Sequence, residues 1–501
     1  MLRSRTLFDA YCPNLNLPLS LGLSSLTHTL PFSATLSISF LVSSYATGFF
    51  GKWHVGSLTN ATTPDCQPAV NGTCTPGYVL IRNNTLCCDG RDAHVPVMRP
   101  IDVGFHTALA TPQVAPAGTA NCGCVGTVPG AGTGCMLGHY EGLGHFPPSQ
   151  PWLECDQYFN STPSARDMLS VQHVTPEDDA AFLVDSFLAF ATAAVREGKP
   201  FFAQISFHNN HIPYLSPAKF RSLYPGYDLN HQDYYGGLSA VDEQVGRIRK
   251  ALSSLGVANN TFLALTSDNG PEVNVGGHET ATFYNPGDNG GRTGRKRALT
   301  EGGIRLTGII EYPPLVKENR VDMGTFPVVT NDFLPTLLDI VGGHPTHPSW
   351  PLDGVSLLPV LSGHVVNRSM PIGWYSHYPW VIVPPEQPPY QRCFNRPKHP
   401  LPPSFPRGFR TPFDQPRLAW TEGVYKLFAC SDTPKLPESW RFSLYNVLSD
   451  DKEQHDLWPQ LRSSTGDAMF RRFLQWQESV LLSIEHETNC RFGSYNLMSG
   501  P

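Results

Sequence analysis

The chain has no surplus of positive charge: 36 Lys and Arg stand against 42 Asp and Glu, a formal net charge of -6. A field of that sign does not steer polynucleotides, which argues against nucleic acid as a partner. No apolar run reaches the length of a membrane span, and the stretch 17–46 is broken by Pro18, His28 and Pro31. No internal repeat is found, which leaves out solenoids and propellers. The Cys-rich part of the chain lacks two matching Cys-x-x-Cys pairs, the pattern expected of a structural zinc site. A clean signal peptide is also missing, because Asp9 interrupts the segment that follows Arg3 and Arg5.

What is present suits a soluble globular protein. With 501 residues, 40% of them hydrophobic, the chain can bury a large core and form more than one domain. Twelve Cys occur, eight of which (Cys66, Cys74, Cys87, Cys88, Cys122, Cys124, Cys135, Cys155) lie between residues 60 and 160. The clustering predicts an insertion at about 57–160 stapled by disulfides, with zinc binding as the competing reading. Sequons at Asn60, Asn71, Asn83, Asn160, Asn259 and Asn367 fit a secretory glycoprotein, lysosomal or extracellular.

Residues 175–207 read as a helix followed by a strand. Thr175 and Pro176 suit the helix start, Leu183, Phe187, Phe190 and Ala194 form its apolar stripe, Gly198 ends it, and FFAQISF (201–207) is a buried strand. A second unit places Leu238, Val241, Val245, Ile248 and Leu252 on one helix face before Gly256 and a buried strand FLALT (262–266). A third runs from IRLTGII (304–310) into a helix over 332–341. Helices alternating with apolar strands predict an α/β fold whose large mixed, mostly parallel sheet is flanked by helices. On such a sheet His211 and Asp268 leave strands at one edge. Past PLDGVSLLPVLSG (351–363) and a Pro-rich stretch (381–416), RLAWTEGVYKLFAC and WRFSLYNVL read as antiparallel strands, with a terminal helix over 466–484. The expected domains are therefore 1–365 and a smaller α+β domain, 366–501.

Asp268 and Asn269 stand where the FLALT strand ends, the place at which open α/β sheets bind ligands. They offer hard oxygen ligands for Ca²⁺ or Mg²⁺, although Asp-Asn-Gly alone is also an ordinary turn. Further chemistry-bearing segments are GKWHVG (51–56), HNNHIPY (208–214), GRKRALTEGGIR (294–305) and LYNVLSDDKEQHDL (444–457). In this order, with SDNGPE (267–272), PIDVGF (100–105) and the DGVSLLPVL run, the chain resembles the sulfatase family of the alkaline phosphatase superfamily from about Thr35 to residue 480. The resemblance implies a sulfuric ester hydrolase. Lys52, His54, His211 and Lys296 match the family's sulfate-binding and acid/base positions, and Asp268 and Asn269 match half of its divalent-cation site, usually Ca²⁺. Such a cluster makes physical sense, because a sulfate ester carries charge that must be held while more builds on the leaving oxygen. The roles of His208 and His278 are left open by the sequence, a structural one being favoured.

The likeness is incomplete at the N-terminus. The family's early acidic pair and its C-x-P-x-R motif, whose Cys becomes the formylglycine nucleophile, are not found; Cys12 is followed by Pro13 and Asn14, and Arg5 is the nearest match to the motif's Arg. A truncated sequence is the first expectation, and the chain as written is expected to hydrolyse no sulfate ester and to bind cation weakly. A non-catalytic homologue that binds sulfated glycans is the alternative, followed by a phosphodiesterase or phosphonate hydrolase on the same fold. The sulfated substrate, small molecule or glycan, is not legible.

Overall fold

The computed structural model describes residues 45–53, 80–82, 85–87, 99–111, 157–161, 168–172, 178–211, 214, 216–272, 286–296, 298–316, 326–343, 352–364, 367–376, 393, 396–406 and 416–487. Two compact units emerge. The first holds the described residues up to Asn259, and the second holds Asn260–Gly342 and Leu352–His486.

The first unit is built on a five-stranded mixed sheet. Its strands are β1 (Ala46–Lys52), β4 (Thr107–Thr111), β5 (Gln157–Ser161), β6 (Met168–Gln172) and β7 (Phe201–Ser206), in the order β6-β5-β4-β1-β7. A separate hairpin joins β2 (Leu80–Arg82) and β3 (Thr85–Cys87). The central strand β1 runs parallel to both β4 and β7, so their carboxyl ends share one edge. Phe49 and Phe50 are fully buried on opposite faces of β1. Phe49 meets Trp53 and Phe105 edge-on, whereas Phe50 meets Phe187 and Phe190 of helix α1 (Ala180–Arg196). The stripe expected on α1 is thus the packed one, with Leu183, Phe187 and Ala194 buried.

Helix α2 (Leu229–Ser254) bears out the expected stripe at Ile248 and Leu252 and corrects it at Leu238. Its buried face is Asp233, Gly236, Gly237, Ala240, Gln244, Ile248 and Leu252, and Leu238 is exposed. The face is selected by backbone approach: a Cβ on Gly236 would collide with Ser216 Oγ, and one on Gly237 with Asn210 Oδ1. Larger side chains cannot occupy those positions, and Leu238, next to Gly237, lies off the contact.

The second unit pairs β8 (Leu263–Thr266) antiparallel with β9 (Gly308–Glu311), and α3 (Phe333–Val341) closes on Gly342 with φ +63°. β8 was expected to be buried; Ala264 and Thr266 are exposed, so it alternates as a half-covered strand. β7 and β8 belong to different sheets among the described residues. The chain then forms an antiparallel sheet of β10 (Ile372–Ser376), β11 (Arg417–Glu422), β12 (Tyr425–Cys430) and β13 (Arg441–Asn446), on which α4 (Asp467–Glu487) lies. Trp420, Phe442, Trp458, Phe470 and Phe473 form the core between them. Cys393 and Cys430, both buried, are disulfide-bonded. The side chains of the eight Cys of the 60–160 region lie outside the described residues, as do His54, His278 and residues 1–44. No helix among the described residues is long and apolar enough to cross a membrane.

Candidate functional site

In the first unit, two of the predicted residues stand at the carboxyl edge of the sheet. Lys52, half-buried, is the last residue of β1 and lies level with Thr111 on β4. The residue before it must be glycine: Gly51 has φ +111°, and a Cβ there would run into the Ser206 carbonyl of β7. GKW is therefore a steric device that lets two strands close beneath Lys52. Trp53 locks the exit, its N–H donating to Thr111 O at 3.0 Å while its ring is buried.

His211 ends the loop after β7 and exposes its ring. The loop is fastened from below. The His211 N–H donates to His208 O at 2.8 Å, and Asn209 Nδ2 donates to Asp178 Oδ2 at 3.3 Å. Asn210 Nδ2 donates to Tyr234 O on α2 at 2.5 Å. His208 faces inward, 2% exposed, with Nε2 2.7 Å from Thr111 Oγ1 and Nδ1 2.7 Å from Asp179 Oδ2. The Tyr158 hydroxyl donates to the same Asp179 oxygen at 2.8 Å. His208 is thus held within the fold.

In the second unit, the Asp268–Asn269 turn and the Lys296 loop are hydrogen-bonded to each other. Gly270 N–H donates to Gly303 O at 2.9 Å, Lys296 N–H donates to Pro271 O at 2.9 Å, and Arg295 Nε donates to Glu272 O at 2.8 Å. Gly270 has no room for a Cβ, which would strike Gly302 O. Asp268 is exposed and Asn269 partly buried, its amide donating to Gly270 O at 2.9 Å. Asn269 Oδ1 and the Asp268 carboxylate are hard donors that suit Ca²⁺ or Mg²⁺, but Ca²⁺ takes six to eight oxygens, and two residues supply only one side of that shell. No cluster of three or more His, Cys, Asp or Glu with metal-site geometry occurs among the described residues.

The sequence reading missed two ion-pair arrangements here. Lys296 Nζ pairs with the buried Glu272 at 3.1 Å, so its charge arrives partly compensated. Behind the loop, the fully buried Lys426 of β12 bridges Glu301 at 2.9 Å and Glu453 at 3.0 Å. Glu453 Oε2 also accepts the Glu301 N–H at 2.8 Å. Burial pushes the Glu453 carboxyl above its usual range, and Lys426 pulls against that shift. Glu301 and Glu453 lie inside quoted motifs, but Lys426 is 125 residues from Glu301, and nothing in the local sequence pairs them.

A family model described as Sulfatase matches residues 38–343, more than half of the chain. The steryl-sulfatase of Rattus norvegicus is 29% identical over 339 residues, which are 64% of this chain and 53% of that protein. A sulfatase of Formosa agariphila is 30% identical over 219 residues, 41% of this chain and 37% of that one. The chain spans about half the length, or less, of the curated relatives it matches. Among solved structures, Ps i-CgsB aligns with TM-score 0.56 at 17% identity, covering 93% of this chain and 82% of that one. The sulfatase PsFucS1 of Pseudoalteromonas sp. aligns with TM-score 0.53 at 18% identity, covering 92% and 74%. At such identities the likeness shows the fold.

Proposed function

The chain belongs to the sulfatase family, and from that premise we propose that it acts on sulfate esters of aryl or carbohydrate substrates as a sulfuric ester hydrolase. The observation that carries this reading is the union of the Asp268–Asn269 turn with the Lys296 loop through three backbone-directed hydrogen bonds. A cation-binding pair and a lysine are thereby held close in one rigid frame. In the first unit, Lys52 supplies positive charge for sulfate oxygens and the exposed His211 imidazole can give a proton to a leaving oxygen; in the second, Lys296 supplies positive charge beside the cation-binding pair. His54 takes its role from the family match alone. Asp268 and Asn269 would hold Ca²⁺, which when bound adds charge that neutralises the sulfate. Exposed Asn160, Asn259 and Asn367 in sequons and the buried Cys393–Cys430 bridge support a secretory route.

Sulfate binding, followed calorimetrically on the chain, tests the reading. Lys52→Ala and Lys296→Ala should each weaken sulfate about tenfold or more, as expected when a charge-assisted hydrogen bond is lost. If neither change affects binding, the assignment is wrong. Turnover of a chromogenic aryl sulfate separates hydrolysis from glycan binding. The chain is compared alone and extended upstream by an acidic pair and C-x-P-x-R, with a formylglycine-generating system and with or without chelator. Chelator-sensitive turnover by the extended chain supports the hydrolase. If that chain has no turnover across a broad panel of sulfate esters, the second reading holds.

A further inference from the structure

Thr111, His208 and Asp179 form a hydroxyl–imidazole–carboxylate line with both spacings at 2.7 Å. In a cleft, that arrangement would activate a nucleophile. Here all three residues are at most 2% exposed, so the Thr111 hydroxyl meets no substrate. Burying three such groups is unfavourable unless each is satisfied. The line draws on four separate elements, the end of β4, Tyr158 on β5, the start of α1 and the loop after β7. Thr111–His208 and Tyr158–Asp179 are hydrogen bonds, whereas His208 Nδ1 meets Asp179 Oδ2 as a close contact without hydrogen-bond geometry, an arrangement a merely structural site would not keep.

Both exits of this line lead to residues already singled out. Thr111 is the register partner of Lys52, and its carbonyl accepts the Trp53 N–H at 3.0 Å. At the other end, the His208 carbonyl accepts the His211 N–H at 2.8 Å. With Asp179 beside Nδ1, the imidazole keeps its proton on Nδ1 and offers Nε2 to the Thr111 hydroxyl proton. We infer that Asp179, His208 and Thr111 are positioning residues that set Lys52 and His211 in register for a sulfate group; the inference rests on the sulfate reading above. Asp179 fixes the tautomer, the tautomer fixes the Thr111 hydroxyl, and the ends of β4 and β7 are thereby locked to each other.

The test uses the full chain, inorganic sulfate as the probe, and Thr111→Val, Thr111→Ser and Asp179→Asn. Valine keeps the shape and removes the hydroxyl; serine keeps the hydroxyl. Thr111→Ser should bind sulfate within about twofold of the parent, and Thr111→Val and Asp179→Asn about tenfold more weakly, the equivalent of one lost positioning hydrogen bond. Parent-like sulfate binding by Thr111→Val overturns the inference. Nitrogen-15 imidazole spectra of the parent chain provide a readout that needs no variant: His208 should carry its proton on Nδ1, and an Nε2-protonated ring refutes the line. Should the parent bind no sulfate, the functional reading fails, and the positioning claim is decided by the His211 ring resonances. They should move in Thr111→Val and not in Thr111→Ser, and unchanged resonances in both overturn it.

Discussion

Replacing Lys426 by Met tests whether the frame behind the Lys296 loop is held by charge. Lys426 is fully buried between Glu301 Oε1 at 2.9 Å and Glu453 Oε1 at 3.0 Å. Methionine fills much of the same volume without the charge, leaving two buried carboxylates. Arg305, 3.6 Å from Glu301 Oε2, still serves one of them. Glu453 loses its lysine partner and escapes by taking up a proton. From an ordinary value of 4.5, protonation at pH 7 costs about 1.4 kcal/mol per unit over 2.5 units, or about 3 kcal/mol. That agrees with the roughly 3–5 kcal/mol expected when one partner of a buried pair is removed. The sign with pH follows. The folded carboxyl titrates above the unfolded one, so the folded state binds more protons and stability falls as pH rises from about 4.5 toward the raised value. The loss should therefore be about 3 kcal/mol at pH 7 and under about 1.5 kcal/mol at pH 5. Denaturant unfolding at the two pH values measures it. A loss below about 1 kcal/mol at pH 7, or one equal at both, would refute the reasoning.

Glu453→Gln in the parent background removes the group with the raised pKa, so the stability lost between pH 5 and 7 should shrink in the same denaturant assay. Gly51→Ala places a Cβ against Ser206 O at φ +111° and should cost at least about 2 kcal/mol in unfolding free energy; a neutral result would show that the strand ends are not sterically set. Glu272→Gln removes the carboxylate that compensates Lys296 at 3.1 Å, so sulfate should bind several-fold tighter by calorimetry; weaker binding would show that Glu272 chiefly orients the lysine. Asp268→Ala should weaken Ca²⁺ binding in a calcium titration, and unaltered affinity would remove Asp268 from the cation site.

Strand and helix identities were legible wherever apolar spacing decided them. β7, α1, α3 and the antiparallel pair β11–β12 fall where periodicity placed them, except that β7 is half-buried along its length rather than buried and α1 begins at Ala180, with Asp179 rather than Thr175 at its N-cap. Spacing failed where polar groups set the contact. On α2, Asp233 accepts from Ser216 N at 3.0 Å and Gly236 and Gly237 admit the neighbouring loop, so the buried face carries few of the apolar residues that a pattern search counts. β8 alternates in burial because successive side chains point to opposite faces and only one face is covered. The Cys393–Cys430 bridge was overshadowed by the Cys cluster upstream, since its 37-residue separation leaves no local signature.

The same distinction explains why the Lys296 loop is more than the solvated basic run its composition suggests. Arg292 pairs with Asp451 at 2.8 Å, Thr293 Oγ1 donates to Lys452 O at 2.6 Å, and Arg305 NH1 donates to Val447 O at 2.9 Å. Gly294, at φ +81°, admits no Cβ beside Thr300. Each half-buried end of the loop is thus tied to the turn that follows β13, and its middle is bound to the turn after Asp268. Arg292 and Arg305 find these partners over a hundred residues away, whereas Lys296 finds Glu272 close by in the chain. A loop fastened at so many points would lose little conformational entropy on meeting an anion, so under the proposed function the binding energy of Lys296 would go to the ligand rather than to ordering the chain.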